Sequence, residues 1–440
     1  MHTVAVAHRV SIICGCVVVS FLVACHGLLD ASDPTLVRDP DIATAAGADA
    51  RRQATVAAMI GATQSTVIDV SMISDERGWD QSAQFPLGFD LAFLDRRDGA
   101  SYERVHGSDD PHLGALDWIV SKSSIAITNV RAYTPEPSRR EYLGQLYAYR
   151  GWAISQMAED ICPGFPINDV SPDARPIYST PYTTDSAATY AVRMLDTALA
   201  YAHDSTGILH YASVVKGRTL LNLGRYAEAA AAVATVPTSF QYLLAGEAGN
   251  MFGQYGPDWT YSGFPLGDRE GHNGLPYLSV GDTIRVPRVL RGHRVSDTTA
   301  LEYDQAKYPD YTIPIVLASG IEARLIEAEV SLHDNGGTDW LDRLNALRTV
   351  IGLDTLSDPG TPATRVDLLF QERAFWLWLT GRRLGDMRRL IRNYGRDPET
   401  VFPTGQYPLG GQYGNATAIP FVFAVEHEFN PNITTGCTTP

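Results

Sequence analysis

The sequence has little positive charge, no long apolar run after its first 25 residues, and none of the common catalytic motifs. Lys and Arg number 35 against 50 Asp and Glu, a formal net charge of −15. Such an acidic surface repels phosphate backbones, so we exclude nucleic acid as a partner. No later stretch approaches the roughly 20 apolar residues that a membrane-spanning helix needs.

The missing catalytic motifs argue against an enzyme. The sequence contains no Gly-x-Ser-x-Gly elbow, no His-Glu-x-x-His pair and no phosphate-binding P-loop. Asp268, Glu270 and Asn273 lie in a glycine-rich turn but lack the full calcium-loop pattern. We therefore expect no catalytic residues, no metal and no cofactor. Paired carboxylates that are distant in the chain leave a glycan hydrolase as an alternative.

The N-terminus has the pattern of a lipoprotein signal peptide. An apolar run over 10–24 follows Arg9, and Leu22-Val23-Ala24-Cys25 resembles the bacterial lipobox, whose cysteine is acylated. We expect residues 1–24 to be removed and 25–41 to form a lipidated tether, so that acyl chains on Cys25 anchor the protein to a membrane. An ordinary signal peptide with an incidental cysteine, or an uncleaved anchor, is the alternative.

The remaining cysteines favour one disulfide. Cys14 and Cys16 would leave with the signal peptide, and Cys25 would be acylated. Cys162 and Cys437 are then candidates for a bridge that ties down the C-terminal tail in an oxidising compartment. Two unrelated cysteines are the alternative.

The apolar pattern predicts a mainly α, all-α class fold. Apolar residues recur every three to four positions in five segments, which is typical of amphipathic helices. These segments are 143–161, 192–202, 321–332, 340–351 and 366–377. We also expect an alanine-rich helix at about 42–64, and loops with short irregular elements from 69 to 114.

The helices pair into hairpins like those of tetratricopeptide repeats. The pairs we predict are 141–161 with 186–203, 209–223 with 225–236, 319–333 with 338–350, and 364–380 with 383–393. Leu223-Gly224-Arg225-Tyr226, followed by Pro237, matches the second half of such a repeat, although a generic helical hairpin would also fit. Hairpins at 141–236 and 319–393 would share one core within a single domain over 42–440. The aperiodic insertion at 238–318 interrupts them and has the length of a functional loop.

Several separated segments resemble the SusD/RagB family of nutrient-binding lipoproteins. Leu28-Leu29-Asp30 follows the lipobox as in that family, and the segments 320–329 and 344–348 are similar to its helical motifs. The most specific segment is 372–389, with Glu372-Arg373, Gly381-Arg382-Arg383 and Asp386-Met387-Arg388-Arg389. Two departures are Thr380, where the family usually has glutamate, and the middle of the chain, which does not align.

The resemblance implies a non-catalytic lipoprotein on the surface of an outer membrane. Members of that family sit as a lid on a TonB-dependent (SusC-like) transporter and deliver an oligosaccharide, or sometimes a peptide, to it. A tetratricopeptide scaffold lipoprotein that binds only protein partners is the alternative. The arginines at 382–392 would be structural, and Glu372 and Asp386 would neutralise part of their charge.

Aromatic residues in loops are the candidate ligand contacts. Sugar rings present apolar C–H faces, and Trp or Tyr offers a rigid, partly polar platform for them. The first cluster is Arg77, Trp79, Asp80 and Gln81; the second, in the insertion, is Tyr255, Trp259, Tyr261, Phe264 and Tyr277. The alternative for each aromatic is that it fills the small core of its own loop.

Overall fold

A computed structural model describes residues 43–80, 91–244, 264–294, 297–309 and 313–438. Cys25, the signal peptide and the tether therefore lie outside the described residues. The described chain is mainly helical, as predicted. Its helices are α1 (Ala45–Ile73), α2 (Leu91–Asp95), α3 (Gly99–Val105), α4 (Pro111–Tyr133), α5 (Ser138–Asp160), α6 (Thr184–Tyr201), α7 (Thr206–Asn222), α8 (Tyr226–Val233), α9 (Gly320–His333), α10 (Asp339–Val350), α11 (Pro362–Trp376), α12 (Arg383–Tyr394), α13 (Pro398–Val401) and α14 (Phe423–Phe429).

Short strands form three two-stranded antiparallel sheets in the described chain. The strands are β1 (Asp169–Val170), β2 (Pro176–Ile177), β3 (Gln241–Leu244), β4 (Arg288–His293), β5 (Leu301–Gln305) and β6 (Ile315–Ser319). β3 pairs with β6, so that Gln241 lies opposite Ser319, and β4 pairs with β5. The insertion predicted as aperiodic thus leaves and re-enters the helical part at one place, where β3 and β6 meet.

Three of the four predicted hairpins pack helix against helix, and side chains alone connect the helices of the fourth. α5 packs on α6, α7 on α8 and α9 on α10. α11 and α12 are joined by side chains, since Phe370 contacts Tyr394 edge-on at 5.3 Å between ring centroids. α8 also packs on α9, so that the two groups of hairpins share one core although the insertion separates them in sequence.

Side chains at the helix ends define where the hairpins begin. Thr183 caps α6 and Thr361 caps α11, each in a capping box with the residue three positions later. The hydroxyl of Ser319 accepts a hydrogen bond from the Glu322 amide at the start of α9.

Glycine permits the closest helix contacts. A Cβ on Gly151 of α5 would lie 2.7 Å from Cγ of Leu195, and one on Gly217 of α7 would lie 2.6 Å from Cγ1 of Val233. Both distances are too short for a real side chain, so these two positions bring the helices of a hairpin together.

The N-terminal part differs from the prediction. α1 extends to Ile73 rather than ending near 64, and α4 lies partly in the region expected to be loops. Val67, Val70 and Ile73 continue the buried face of α1, while Leu113, Leu116 and Val120 give α4 an apolar face of its own. α1 could cross a membrane by length and composition, unlike our expectation, but 72% of its most apolar window is buried inside the protein, as in a core helix.

A buried histidine joins three helices. Nδ1 of His112 in α4 lies 2.8 Å from Oδ2 of Asp69 in α1, and Nε2 lies 3.3 Å from Oδ2 of Asp160 in α5. Burial alone would lower the pKa of His112, but the carboxylates of Asp160 and Asp69 raise it to about 10. The imidazole is therefore charged at neutral pH, and this cation holds α1, α4 and α5 together.

Four of the five arginines at 382–392 have structural partners, in part other than those predicted. Asp386 accepts hydrogen bonds from Arg373 at 2.8 and 2.9 Å and from Arg389 at 2.8 Å. Arg389 also binds both carboxylate oxygens of Glu329. Glu372, which we expected to neutralise the cluster, instead pairs with Arg285 and Arg348.

Cys162 and Cys437 form a disulfide, with 5.4 Å between their Cα atoms. The adjacent tail runs beside the end of α5, where the amide of Cys162 donates to the carbonyl of Ile419. The bridge fixes the C-terminal tail to the first hairpin, as the cysteine count predicts.

Candidate functional site

The insertion returns to the helical part at the segment that follows α1. The guanidinium of Arg77 donates to the carbonyl oxygen of Phe264 at 3.0 and 2.8 Å, and the amide of Gly78 donates to Pro265 at 2.8 Å. Arg77 also forms an antiparallel bridge with Leu266. The structure thus brings the first predicted cluster against the described end of the second.

The predicted ligand-binding residues at this junction between the insertion and the helices are buried. The ring of Trp79 is 8% exposed and meets the Phe264 ring edge-on at 5.3 Å, while Tyr277 is fully buried against Phe375. Arg77 and Asp80 are buried as well. The prediction that these four residues present an open platform is wrong, because they fill the space between the insertion and the helices.

The other predicted contacts cannot be placed. Gln81, Tyr255, Trp259 and Tyr261 lie outside the described residues, and they stay predictions.

Three carboxyl groups are buried together where the insertion meets the helices: Asp75, Asp95 and Glu270. Burial and the charge of Glu270 raise the pKa of Asp75 well above its usual value. Burial and Glu270 likewise raise the pKa of Asp95 to about 8, although hydrogen bonds from the Tyr407 hydroxyl and the Trp79 amide oppose the shift. Burial also raises the pKa of Glu270, against the opposing charge of Arg294 at 3.2 Å. The contact between the insertion and the helices is therefore built around three carboxyl groups whose pKa values are all raised by burial.

Because these carboxyl groups have raised pKa values, we expect the stability of the folded protein to fall as the pH rises from 5 to 8. The pKa of Asp95 is raised to about 8, and burial raises that of Glu76 to about 7. A carboxyl group whose pKa is higher in the folded protein than in the unfolded chain stabilises the folded state most at a pH below its unfolded pKa, near 4. This stabilisation is lost as the pH rises through the pKa of the folded protein. We expect the free energy of unfolding to fall by several kcal/mol between pH 5 and 8, since a difference of one in pKa between the folded and unfolded states corresponds to about 1.4 kcal/mol.

Urea unfolding at fixed ionic strength measures this slope. Asp95→Asn should flatten it, because asparagine keeps an acceptor for Trp79 and Tyr407 without titrating. Asp173→Asn, at an exposed position, is the matched control. An equal slope in wild type and Asp95→Asn would contradict the prediction.

The residues considered for calcium have structural partners. Asp268 accepts hydrogen bonds from the amides of Leu278 and Ser279 at 2.9 and 3.0 Å. Asn273 donates to the carbonyls of Glu399 and Phe402. Within the described ranges, no group of three or more His, Cys, Asp or Glu side chains is arranged to hold a metal ion. These side chains instead shape the turn of the insertion.

One open groove, which we call the arginine groove, lies between this turn and the last hairpin. Its volume is 380 Å³. The lining residues are Asn273 and Leu275 of the insertion, Asp367, Phe370 and Gln371 of α11, Arg383 and Leu390 of α12, and Arg396, Thr400 and Val401. It combines apolar walls with amide, hydroxyl and guanidinium groups, a mixture suited to a polar ligand with an apolar face.

A second open groove, the tryptophan groove, lies between α1 and α4 and has a volume of 440 Å³. Alanines and a glycine form its floor, and Trp118 is 65% exposed at its edge. The ammonium of Lys122 lies 5.2 Å from the centre of the Trp118 ring. Among the tryptophans in the part of the chain that the structure describes, Trp118 alone is exposed.

Sequence reasoning missed Trp118, although a signal existed. The buried face of α4 carries Leu113, Leu116, Val120 and Ile127. Trp118 falls off that helical face, where a surface helix normally carries polar residues. A large aromatic residue out of phase with the apolar stripe is the pattern that would have identified it.

Comparisons with known proteins give matches at the level of structure. No family model matches the sequence, and no curated protein is similar to it at a significant level. A surface glycan-binding protein A from Bacteroides uniformis superposes with a TM-score of 0.63 at 15% identity, covering 88% of this chain and 99% of that one. A SusD superfamily protein from Bacteroides thetaiotaomicron gives 0.62 at 17%, covering 90% and 100%.

A third match carries a ligand. Surface glycan-binding protein A from Bacteroides thetaiotaomicron, in complex with laminarihexaose, has a TM-score of 0.61 at 12% identity and covers 88% of this chain and 99% of its own. At these identities the likeness concerns architecture. TM-scores above 0.6 with nearly full mutual coverage show that this chain has the SusD-like fold.

Proposed function

We propose that this protein is a non-catalytic surface lipoprotein that binds an oligosaccharide. The observation that carries the proposal is the shared fold over 88% of the chain with a glycan-binding protein whose structure contains laminarihexaose. The two open grooves support it, since one offers an exposed indole and the other a set of hydrogen-bonding side chains. Sugar recognition uses both kinds of group.

Calorimetric titration of the soluble form, starting after Cys25, tests binding directly. Laminarihexaose is the first probe, followed by neutral oligosaccharides of other linkages, acidic oligosaccharides and short peptides. Saturable binding of any of these saccharides supports the proposal. Binding of peptides alone would contradict it.

Trp118→Ala should weaken binding of a neutral oligosaccharide by about ten-fold or more, since aromatic platforms contribute strongly to ligand affinity. The ring is mostly exposed, so the loss of stability should stay within about 0.5 kcal/mol, as for surface substitutions. Titration and urea unfolding measure the two effects.

Phe429→Ala is the matched control, because Phe429 is an exposed aromatic residue (60%) elsewhere on the surface. It should leave affinity unchanged. Equal affinity of wild type and Trp118→Ala would remove the tryptophan groove as the sugar platform.

We also propose that acyl chains on Cys25 hold the protein on the outer membrane, beside a TonB-dependent transporter that accepts the sugar. The lipobox-like sequence supports the anchor. Cys25→Ser should release the protein from the membrane fraction, because the acylation site is lost. Co-purification of tagged, membrane-bound protein with a barrel protein tests the partnership, and a protein that purifies alone from cross-linked membranes contradicts it.

The non-catalytic role has its own test. Prolonged incubation with each bound oligosaccharide should leave the chain length unchanged in product analysis. Appearance of shorter saccharides would identify a hydrolase instead.

A further inference from the structure

Lys122 is the charged side chain that lines the tryptophan groove. It follows Trp118 by about one turn of α4, so the two side chains lie on the same face of the helix. The ammonium lies 5.2 Å from the centre of the indole ring, and the lysine is half-buried. Alanines and Gly61 form the rest of the lining. The groove therefore combines an exposed aromatic ring, an apolar floor and a positive charge.

The three lysines of the sequence, Lys122, Lys216 and Lys307, differ in their partners. The ammonium of Lys216 lies 2.6 Å from Asp196, and that of Lys307 donates to the carbonyl of Trp378. Within the described residues, the ammonium of Lys122 makes neither a hydrogen bond nor an ion pair. It is not buried, so its donors can reach a ligand in the open groove.

The chain does not neutralise this charge from nearby. No carboxylate lines the groove in the part of the chain that the structure describes. Asp117 is next to Trp118 in sequence but lies in another cluster. Burial raises the pKa of Asp117 well above its usual value, and the charges of Glu426 and Asp110 raise it further. The acid closest in sequence is thus placed among other acids rather than against Lys122.

An acidic sugar matches the ring and the charge together. A sugar ring can place an apolar C–H face against the indole, while a carboxylate or sulfate ester projects from the edge of the same ring. An ammonium only donates hydrogen bonds, and those to an anionic acceptor are stronger than those to a neutral hydroxyl. A neutral sugar can therefore use Trp118, but it gains less from Lys122.

We propose that the tryptophan groove binds acidic oligosaccharides in preference to neutral ones, with a sugar ring against Trp118 and its carboxylate or sulfate on the ammonium of Lys122. The inference rests on the proposed glycan-binding function and narrows its substrate class. Because the ammonium is a point charge on a flexible stem, it accepts either anion. The net charge of −15 opposes the approach of an anion, but salt screens charges beyond about 8 Å at physiological strength, so the local ammonium governs.

Calorimetric titration with tetragalacturonate and with its methyl ester tests this preference, because the ester removes the charge and keeps the sugar rings and linkages. The acid should bind about five-fold more tightly, the upper end for an exposed ion pair, since Lys122 is half-buried. Lys122→Met keeps an apolar side chain and should abolish the difference, whereas Lys122→Arg should preserve it. A sulfated galactan tetrasaccharide, beside its desulfated form, tests sulfate in the same way.

Lys216→Met is the matched control, because it removes the same charge from α7 at a side chain that is 23% exposed. It should leave the preference for the acid unchanged. Trp118→Ala should weaken binding of the acid and of its ester alike, because both use the ring. Urea unfolding of each variant checks that the fold is intact.

The outcomes separate this inference from the proposed function. A preference for the charged probe that is lost in Lys122→Met alone among the lysine variants supports the inference. Equal affinity for charged and uncharged forms of both probes, a preference that survives in Lys122→Met, or binding of laminarihexaose alone overturns it and leaves the proposed function in place. No binding of any saccharide overturns both.

Discussion

Replacing Asp386 with asparagine should lower the free energy of unfolding by about 3–5 kcal/mol, the usual cost of removing one partner from a buried ion pair. Burial alone would raise the pKa of Asp386, but Arg373 and Arg389 lower it to about 2, so the carboxylate is charged at neutral pH. Without it, Arg373 keeps one ion-pair partner among the described residues, Glu329 at 3.6 Å. Urea unfolding at pH 7 measures the loss.

Asp367→Asn provides the matched control for this prediction. Asp367 lies on the neighbouring helix, is 61% exposed and pairs with Arg396. Exposed pairs contribute about 0–1 kcal/mol, so this variant should unfold almost as wild type does. Similar losses of unfolding free energy in the two variants would contradict the prediction that the buried ion pairs of Asp386 stabilise the protein more than an exposed pair does.

Replacing Cys162 and Cys437 together with serine should cost up to about 5 kcal/mol, because the bridge closes a very long loop in the unfolded chain. The two cysteines are 275 positions apart. Removal of a native disulfide typically costs about 2–5 kcal/mol. Unfolding of the wild type with and without reductant, beside the double variant, measures the effect.

The double variant should match reduced wild type in stability. Hydrogen exchange should also show faster opening of the tail around Ile419, which the bridge holds against α5. A reductant that leaves unfolding of the wild type unchanged would contradict the prediction.

The helical hairpins could be predicted because their signal is local. Apolar residues at a spacing of three to four positions identify a buried face whatever the rest of the chain does. The same pattern failed for α4, where Pro111 and His112 read as loop residues and Ser123 and Ser124 interrupt the apolar face. His112 proved to be a buried ionic contact, which no periodicity reports.

The candidate site was harder to predict, because sequence composition does not show which side of a loop faces solvent. Trp79 and Tyr277 had the residue type and the loop position expected of a sugar platform, yet the insertion covers both. Arg383 shows the same difficulty. The sequence of its segment predicted structural arginines, and only the hydrogen-bond partners of each guanidinium distinguish Arg383 from Arg388 and Arg389.

The pairing of β3 with β6 also makes the insertion exchangeable. Because Gln241 and Ser319 are neighbours across this pair, the chain enters and leaves the insertion at one place. A different region could be grafted there if it also supplied the contacts that Tyr277 and Arg285 make with Phe375 and Glu372. Evolution can therefore vary this region as a unit while the helical scaffold stays constant.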